Sequence, residues 1–344
     1  MSSRPFIAAR VEEWFIRRAE QVVTRLGWEP QVIGYTGYGN QTEMRVLGRL
    51  VLVPKSSGVV QEAERFLARR GWRNFISLPC MAREATVSYA GHELSVGTDR
   101  QGYIDVKVPS DGLAPGWQQV TLATAGSDPV TTDVMLVGAD TTFGLVSDID
   151  DTVLTTWLPR PFLAAWNSSV LTESRRQPVA GMAEMYTELL ARFPGAPIVY
   201  VSTGSWDTYA FLRRFLSRHG YPNGPMLLTD WGPTNTGWFH SGRDHKSNSL
   251  RELVRDFPGV TWLLVGDDGQ HDPMIYAEFA EQSPRHVSGI AIRELNPVEQ
   301  VLAHGTPGER LDTAQVEDAA VHRPTVRGPE GYTLLRKVLQ VLDR

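Results

Sequence analysis

The chain is predicted to be an α/β protein: a domain built on a parallel sheet, preceded by a β-rich, sandwich-like domain. Three observations predict this. At about 100–200 residues per domain, 344 residues suggest two domains. From about residue 75 to 140 the apolar period is two, broken by turn residues. From about 143 onward, short apolar runs alternate with helix-like stretches, the signature of a parallel sheet with crossover helices. The expected divisions are 1–140 for an N-terminal helix plus the β-rich domain, 141–303 for the α/β domain, and 304–344 for a polar connector and a last helix.

Residues 5 to about 27 have Phe6, Val11, Trp14, Phe15, Val22 and Val23 at roughly helical spacing, and GWEP ends the pattern. MRVLGRLVLVP reads as a strand, and VVQEAERFLARRGW as a helix closed by Gly71. ATVSYAGHELSVGTDRQGYIDVKVP has strand–turn–strand chemistry with turns at AGH and TDRQG. WQQVTLATAG and VTTDVMLVG continue it, and several short strands with regular turns suggest a sandwich.

In the α/β region the apolar runs are FGLVSDIDDT, APIVYVSTGS, GPMLLTD, VTWLLVGDDG and VSGIAIREL. AEMYTELLARF, WDTYAFLRRFLSRHG, NSLRELVRDF and DPMIYAEFAEQS are the helix candidates. After about 303 the chain turns polar and is dotted with Pro and Gly, then ends in an amphipathic stretch, YTLLRKVLQVLD.

Composition narrows the function. Apolar residues at 42% and charged residues at 21% mark a folded chain. A net charge of -5 supplies no global attraction to nucleic acid or anionic lipid. One cysteine, Cys80, cannot form an internal disulfide, which fits a reducing cytoplasm. No apolar run approaches the length of a membrane span. The opening MSSRPFIAARVEEWFIRRAEQ lacks the unbroken apolar core of a secretory signal. The expected location is cytoplasmic, with peripheral membrane association open.

In open parallel sheets, ligands bind beyond the carboxyl ends of the strands. Four polar clusters lie at or near such ends: Asp148-Ile149-Asp150-Asp151-Thr152, Ser202-Thr203-Gly204-Ser205, Lys246 in DHKSNSL, and Asp267-Asp268-Gly269-Gln270-His271-Asp272. An Asp after a strand is most often a turn former or helix cap; the information is in the ordered set. Alternate residues in an extended segment let Asp148 and Asp150 face one site. Close carboxylates favour a bound cation or a shared proton, and a hard ion such as magnesium takes oxygen ligands. Asp148, the Asp150 backbone carbonyl, and Asp267 or Asp272 could supply them. Asp148 can then attack phosphorus, while Asp150 protonates the leaving oxygen and later takes a proton from water. Ser202 and the amides after it, at Thr203 and Gly204, can bind phosphoryl oxygens at a helix N-terminus. Lys246 can offset the negative charge. The sum is phosphoryl transfer by positioning and electrostatics with a covalent step.

DIDDT…VSTGS…K…GDDGQHD resembles the four-part signature of the haloacid dehalogenase superfamily of aspartate-nucleophile phosphatases. SDIDDTV, YVSTGSWDTYAFLRRFLSRHGYPNGP and LLVGDDGQHDPMIYAEFA closely resemble the catalytic domain of the actin-patch type of phosphatidate phosphatase, and more distantly lipins. The resemblance covers roughly 143–295. It implies a modified Rossmann fold of the haloacid dehalogenase type, magnesium dependence and phosphatidate as substrate. Position by position, it makes Asp148 the nucleophile, Asp150 the acid/base, Ser202 the phosphate-binding hydroxyl, Lys246 the motif lysine, and Asp267 and Asp272 metal-binding acids. Asp268 is a substitute for either of the last two.

Several neighbours read more simply. Asp151 reads as a local backbone or helix-start residue, and Thr203 or Ser205 as a cap for the helix beginning near Trp206. His271 reads as a neighbour of an oxygen-rich site, Arg175 and Arg176 as a solvated pair, and Cys80 as inert. No large cap is evident, and Trp157, Trp166, Trp231, Trp238 and Phe239 could form an aromatic rim at a lipid boundary. The expected partner is a phosphorylated substrate, presented at a membrane surface. Two alternatives are the same chemistry on a soluble phosphomonoester or phosphoprotein, and a membrane- or protein-docking module whose phosphatase site is secondary.

Overall fold

The computed structural model describes residues 18, 20, 22–55, 78–155, 176–229, 233–234, 237–238, 242–269, 271–297, 299 and 323–343. The chain divides into two compact units, Met1–Gly138 with Asp230–His240, and Ala139–Thr229 with Ser241–Arg344.

The first unit is β-rich, as its period-two pattern predicts. Its strands are β1 (Trp28–Gly39), β2 (Glu43–Pro54), β3 (Leu78–Pro79), β4 (Glu84–Tyr89), β5 (His92–Gly97), β6 (Tyr103–Pro109), β7 (Gly116–Ala123) and β8 (Val130–Leu136). They form one eight-stranded sheet in the order β3-β2-β1-β8-β7-β4-β5, with β6 paired to β2. All pairings are antiparallel except β1 with β8. A single buried cluster takes Val32 from β1, Leu50 from β2, Val87 from β4, Ile104 from β6, Leu122 from β7 and Val134 from β8. Strands far apart in the pairing order thus share one core.

The AGH turn is where the sequence puts it, with Ala90 at φ 45° and Gly91 at φ 84°, the left-handed pair that a two-residue hairpin needs. In TDRQG, the Asp99 carboxylate accepts from the amides of Gln101 and Tyr103, each at 2.8 Å, an Asx-type closure.

Of the helix expected over 5–27, residues 1–17, 19 and 21 lie outside the described residues. The described remainder is helical up to Arg25, and Gly27 at φ 84° closes it. The helix expected at VVQEAERFLARRGW lies wholly outside the described residues.

The second unit holds a six-stranded, wholly parallel sheet. Its strands are β9 (Phe143–Ser147), β12 (Ile198–Ser205), β13 (Met226–Thr229), β16 (Thr261–Asp267), β17 (Val287–Arg293) and β18 (Thr325–Gly328), in the order β13-β12-β9-β16-β17-β18. One short pair in this unit stands apart from it, β10 (Leu154–Thr155) with β11 (Gln177–Pro178); a second short pair, β14 (Pro233–Thr234) with β15 (Gly237–Trp238), belongs to the Asp230–His240 segment of the first unit. The helices bounded within the described residues are α1 (Met182–Arg192), α2 (Tyr209–Arg218), α3 (Gly242–Asp256), α4 (Asp272–Gln282) and α5 (Gly331–Leu342). The five apolar runs are strands of this sheet. β18, however, is a sixth strand, taken from the stretch read as a polar connector. It pairs Ile290, Ala291, Ile292 and Arg293 with Thr325, Val326, Arg327 and Gly328. Its neighbour β17 is buried at every position but Ser288.

Candidate active site

β9 lies between β12 and β16, so three of the four polar clusters leave neighbouring strands at their carboxyl ends. Asp148 follows β9 directly, and its amide donates to the Val265 carbonyl of β16 at 2.9 Å. Beyond it the chain turns tightly. The amides of Val153 and Leu154 both donate to the Ile149 carbonyl, and Asp151 stands at φ 58°, the left-handed region where a non-glycine residue is strained. In β12 the pairing with β13 loses register between Val201 and Ser205. That irregularity frees Ser202, Thr203 and Gly204 from a regular ladder. Asp267 ends β16, and Asp272 opens α4 one short loop later.

Asp148, Asp267 and Asp272 each offer a carboxylate oxygen within 4.8 Å of the others, and all three are buried. Lys246 Nζ donates to Asp148 Oδ1 at 2.6 Å and to Asp272 Oδ1 at 2.5 Å. The sequence placed this lysine ahead of a helix; the structure places it inside the first turns of α3, which begins four residues earlier at Gly242. Thr152 Oγ1 lies 3.4 Å from Asp148 Oδ2 and 3.3 Å from Asp267 Oδ2, bridging two acids. Asp267 Oδ1 accepts from the Gly269 amide at 2.7 Å. Gly266 leaves room for Asp272: a Cβ there would lie 2.5 Å from Asp272 Oδ2.

Asp150 is half-buried and accepts from Ser202 Oγ at 3.0 Å, while Ser202 Oγ accepts from the Gly204 amide at 2.9 Å. Asp148 and Asp150 are therefore near each other but held by different partners. Thr203 and Gly204 contribute backbone: their carbonyls accept from Thr229 Oγ1 at 2.7 and 3.2 Å. Of the two cap candidates, Ser205 serves, its Oγ accepting from the Asp207 amide at 3.2 Å at the start of a short 3-10 turn, Trp206–Thr208, ahead of α2. Asp268 points elsewhere and accepts from the Leu295 amide at 2.8 Å. His271 precedes α4 and makes no side-chain cap there. Arg243 pairs with Glu278 at 2.6 Å on the surface, well engaged away from the acids.

The electrostatics follow from three buried acids facing one buried cation. Burial pushes the Asp148 carboxyl well above the usual carboxylate range, and Asp272 and Asp150 add to this against the opposing pull of Lys246. Asp267 is raised likewise, by burial first and then by Asp272 and Asp148. Burial alone would lower Lys246, but Asp148 and Asp272 hold it above its ordinary value. Asp272 Oδ2 is buried with no hydrogen-bond partner among the described residues. A set of hard oxygen donors, one of them orphaned, with more negative charge than one lysine offsets, fits a divalent cation of the magnesium type.

Beneath the acids, Ser147 Oγ donates to the Asp148 carbonyl at 2.6 Å. Its only proton is thus used, so the Tyr186 phenol is the donor in the buried 2.6 Å contact with Ser147 Oγ. Sequence reasoning assigned no role to Thr152, although it lies within the quoted DIDDT, and did not single out Tyr186. A tyrosine in an amphipathic helix carries no signal that it contacts β9. Trp157, Trp166, Trp231, Phe239 and Arg175 lie outside the described residues, as does the side chain of Trp238.

Residues 143–294 match the family described as the catalytic domain of the phosphatidate phosphatase APP1. Among similar proteins, phosphatidate phosphatase APP1 of Saccharomyces cerevisiae is 27% identical over 201 residues, 57% of this chain and 34% of that protein. An uncharacterized protein of Schizosaccharomyces pombe is 25% identical over 152 residues, 44% of this chain and 25% of its own length. The chain thus spans 34% and 25% of the two relatives it matches. Among solved structures, a carbohydrate acetylesterase from Xanthomonas citri is similar at a TM-score of 0.27 and 11% identity, over 83% of this chain and 72% of that one. That likeness is too slight to bear on the fold.

Proposed function

We propose that this chain, whose residues 143–294 are of the APP1 phosphatidate phosphatase catalytic type, hydrolyses a phosphomonoester through a phosphoryl-aspartate at Asp148, with phosphatidate as substrate and diacylglycerol as product. The second unit is read as a haloacid dehalogenase-type domain. The observation that carries the reading is the buried convergence of Asp148, Asp267 and Asp272 around Lys246.

In the first half-reaction an Asp148 carboxylate oxygen attacks phosphorus. The bond to the glycerol oxygen breaks, and Asp150 gives that oxygen its proton. In the second, water attacks the phosphoryl-aspartate, Asp150 takes its proton, and inorganic phosphate leaves with Asp148 restored. Ser202 turns its hydroxyl from Asp150 toward a phosphoryl oxygen, joined by the amides of Thr203 and Gly204. Lys246 offsets the charge that gathers around nucleophile and phosphate. Asp148, the Asp150 carbonyl, Asp267 and Asp272 would hold magnesium, which supplies charge neutralisation at the phosphoryl oxygens.

Phosphate release from phosphatidate in mixed micelles, measured beside a panel of soluble phosphomonoesters with added magnesium, tests the reading. The expected result is turnover of phosphatidate that the Asp148→Asn protein lacks. Turnover of soluble esters alone would leave the chemistry and overturn the substrate. Equal activity in the Asp148→Asn protein would overturn the nucleophile.

A further inference from the structure

The strained turn that follows the nucleophile is held from a distance. Arg293, at the end of β17, is 5% exposed, and its Nη1 donates to the Asp151 carbonyl at 2.6 Å across 142 residues of sequence. Its Nη2 pairs with Glu299 Oε1 at 2.7 Å, and its Nε reaches the Pro329 carbonyl at 3.4 Å. Glu299 is itself fixed: its Oε2 accepts from the Asn296 amide at 2.9 Å, while Asn296 Oδ1 accepts from the Glu299 amide at 3.0 Å, a reciprocal capping box. The Arg293 carbonyl also accepts from the amide of Asp268, the residue after Asp267, at 3.0 Å. Arg293 touches none of the acids that the chemistry uses. What it holds is the carbonyl of the one residue in this turn with a left-handed backbone, directly after Asp150.

We propose that Arg293, aimed by Glu299, is a positioning residue that sets the orientation of Asp150 by clamping the Asp151 carbonyl. The inference rests on the reading of Asp148 and Asp150 as nucleophile and acid/base. A strained backbone persists only where its surroundings over-determine it: the Asp151 amide donates to the Leu154 carbonyl at 2.8 Å on one side of this residue, and Arg293 holds the Asp151 carbonyl on the other. The planar fork of an arginine serves several acceptors at once, which a lysine ammonium on a flexible stem does not reproduce. The buried carboxylate of Glu299 keeps the guanidinium from turning away.

Arg293→Lys, Arg293→Ala and Glu299→Gln are compared with the parent for kcat, KM, pH–rate profile and thermal unfolding, on whichever phosphomonoester the parent hydrolyses. Misaiming an acid/base by about 1 Å costs on the order of 100-fold in kcat, so Arg293→Lys is expected to lose roughly that much with KM changed by less than about twofold. Added guanidinium ion is expected to restore part of the kcat of Arg293→Ala, and Glu299→Gln to fall in the same direction by less. If the arginine variants do not fold, the Glu299→Gln kcat-against-KM split decides alone. A folded Arg293→Lys protein with parental kcat would overturn the inference. So would a loss that only tracks the unfolded fraction and is not rescued. A parent that hydrolyses no phosphomonoester would overturn the proposed function and this inference together; an active parent indifferent to Arg293 and Glu299 would overturn this inference alone.

Discussion

Lys246 is the residue on which the acid cluster depends. It is 2% exposed and makes both of its ion pairs with buried carboxylates. Removing one partner from a buried charge group is far costlier than losing a surface pair, because the charges left behind have no solvent. Lys246→Ala is expected to destabilise the protein by about 3–5 kcal/mol without divalent cation and to lower turnover by about 100-fold or more. Urea unfolding and phosphate release would measure the two. A mild effect on both would mean that another cation serves the cluster; Arg243, in the same helix, is engaged with Glu278. The acids of this cluster were legible because Asp residues at strand ends are chemically conspicuous, and Lys246 because lysines are few in this chain. Arg293 was not, because its partners are a backbone carbonyl 142 residues away and a glutamate that looks like any cap.

At the scale of elements, the strands read best where burial was plain. The five apolar runs of the second unit and the alternating strands of the first announce themselves through period and content. β1 did not. No strand is predicted over WEPQVIGYTGYG, whose opening is read only as the end of the first helix, yet its glycines are there because neighbours come close. A Cβ at Gly37 would lie 2.3 Å from the Arg45 carbonyl oxygen, and one at Gly34 would lie 2.7 Å from Thr132 Cβ. β18 was missed because TVRG is short and set among Pro and Gly, and its strand character comes from pairing with β17. The same logic locates the docking of α5 on α1. Gly181 and Gly331 meet backbone to backbone: the Gly331 amide donates to the Ala180 carbonyl at 2.9 Å, and a Cβ on Gly331 would lie 2.1 Å from the Gly181 carbonyl. Because the obstacle is backbone, Gly331→Ala has no cheap relief and is expected to cost about 1–3 kcal/mol or more. A melting temperature equal to that of the parent would show that the two helices can separate freely at this point.

At the scale of the molecule, two compact units and the acid cluster found among the described residues are expected to give a distinctive response to pH and cation. Asp148 and Asp267 have raised values, by burial first and then by neighbouring acids. An acid raised in the folded state keeps its proton over a range where the unfolded chain has lost it. Native stability therefore falls as pH rises above the ordinary carboxylate value of about 4 and on through the raised range. In chelator, the second unit is expected to melt at lower temperature at neutral pH than in mild acid. Magnesium is expected to reverse this, by about 2.7 kcal/mol at a hundred times its dissociation constant. The first unit supplies an internal control. Its Cys80, the single cysteine of the chain, is fully buried, and burial pushes its thiol up to about 12. Thiol labelling on heating reports opening of that unit and is expected to be indifferent to magnesium. A magnesium-insensitive second transition would remove the cation from the site. Among the described residues no helix is long and apolar enough to cross a membrane.

The most direct measurement is acid quenching of the protein during turnover of phosphatidate with magnesium, followed by mass spectrometry of its peptides. Phosphate is expected on the peptide that carries Asp148, and on no other, with none in the Asp148→Asn protein. Steady turnover with an unmodified Asp148 peptide, or phosphate carried elsewhere, would contradict the assignment of Asp148 as the nucleophile.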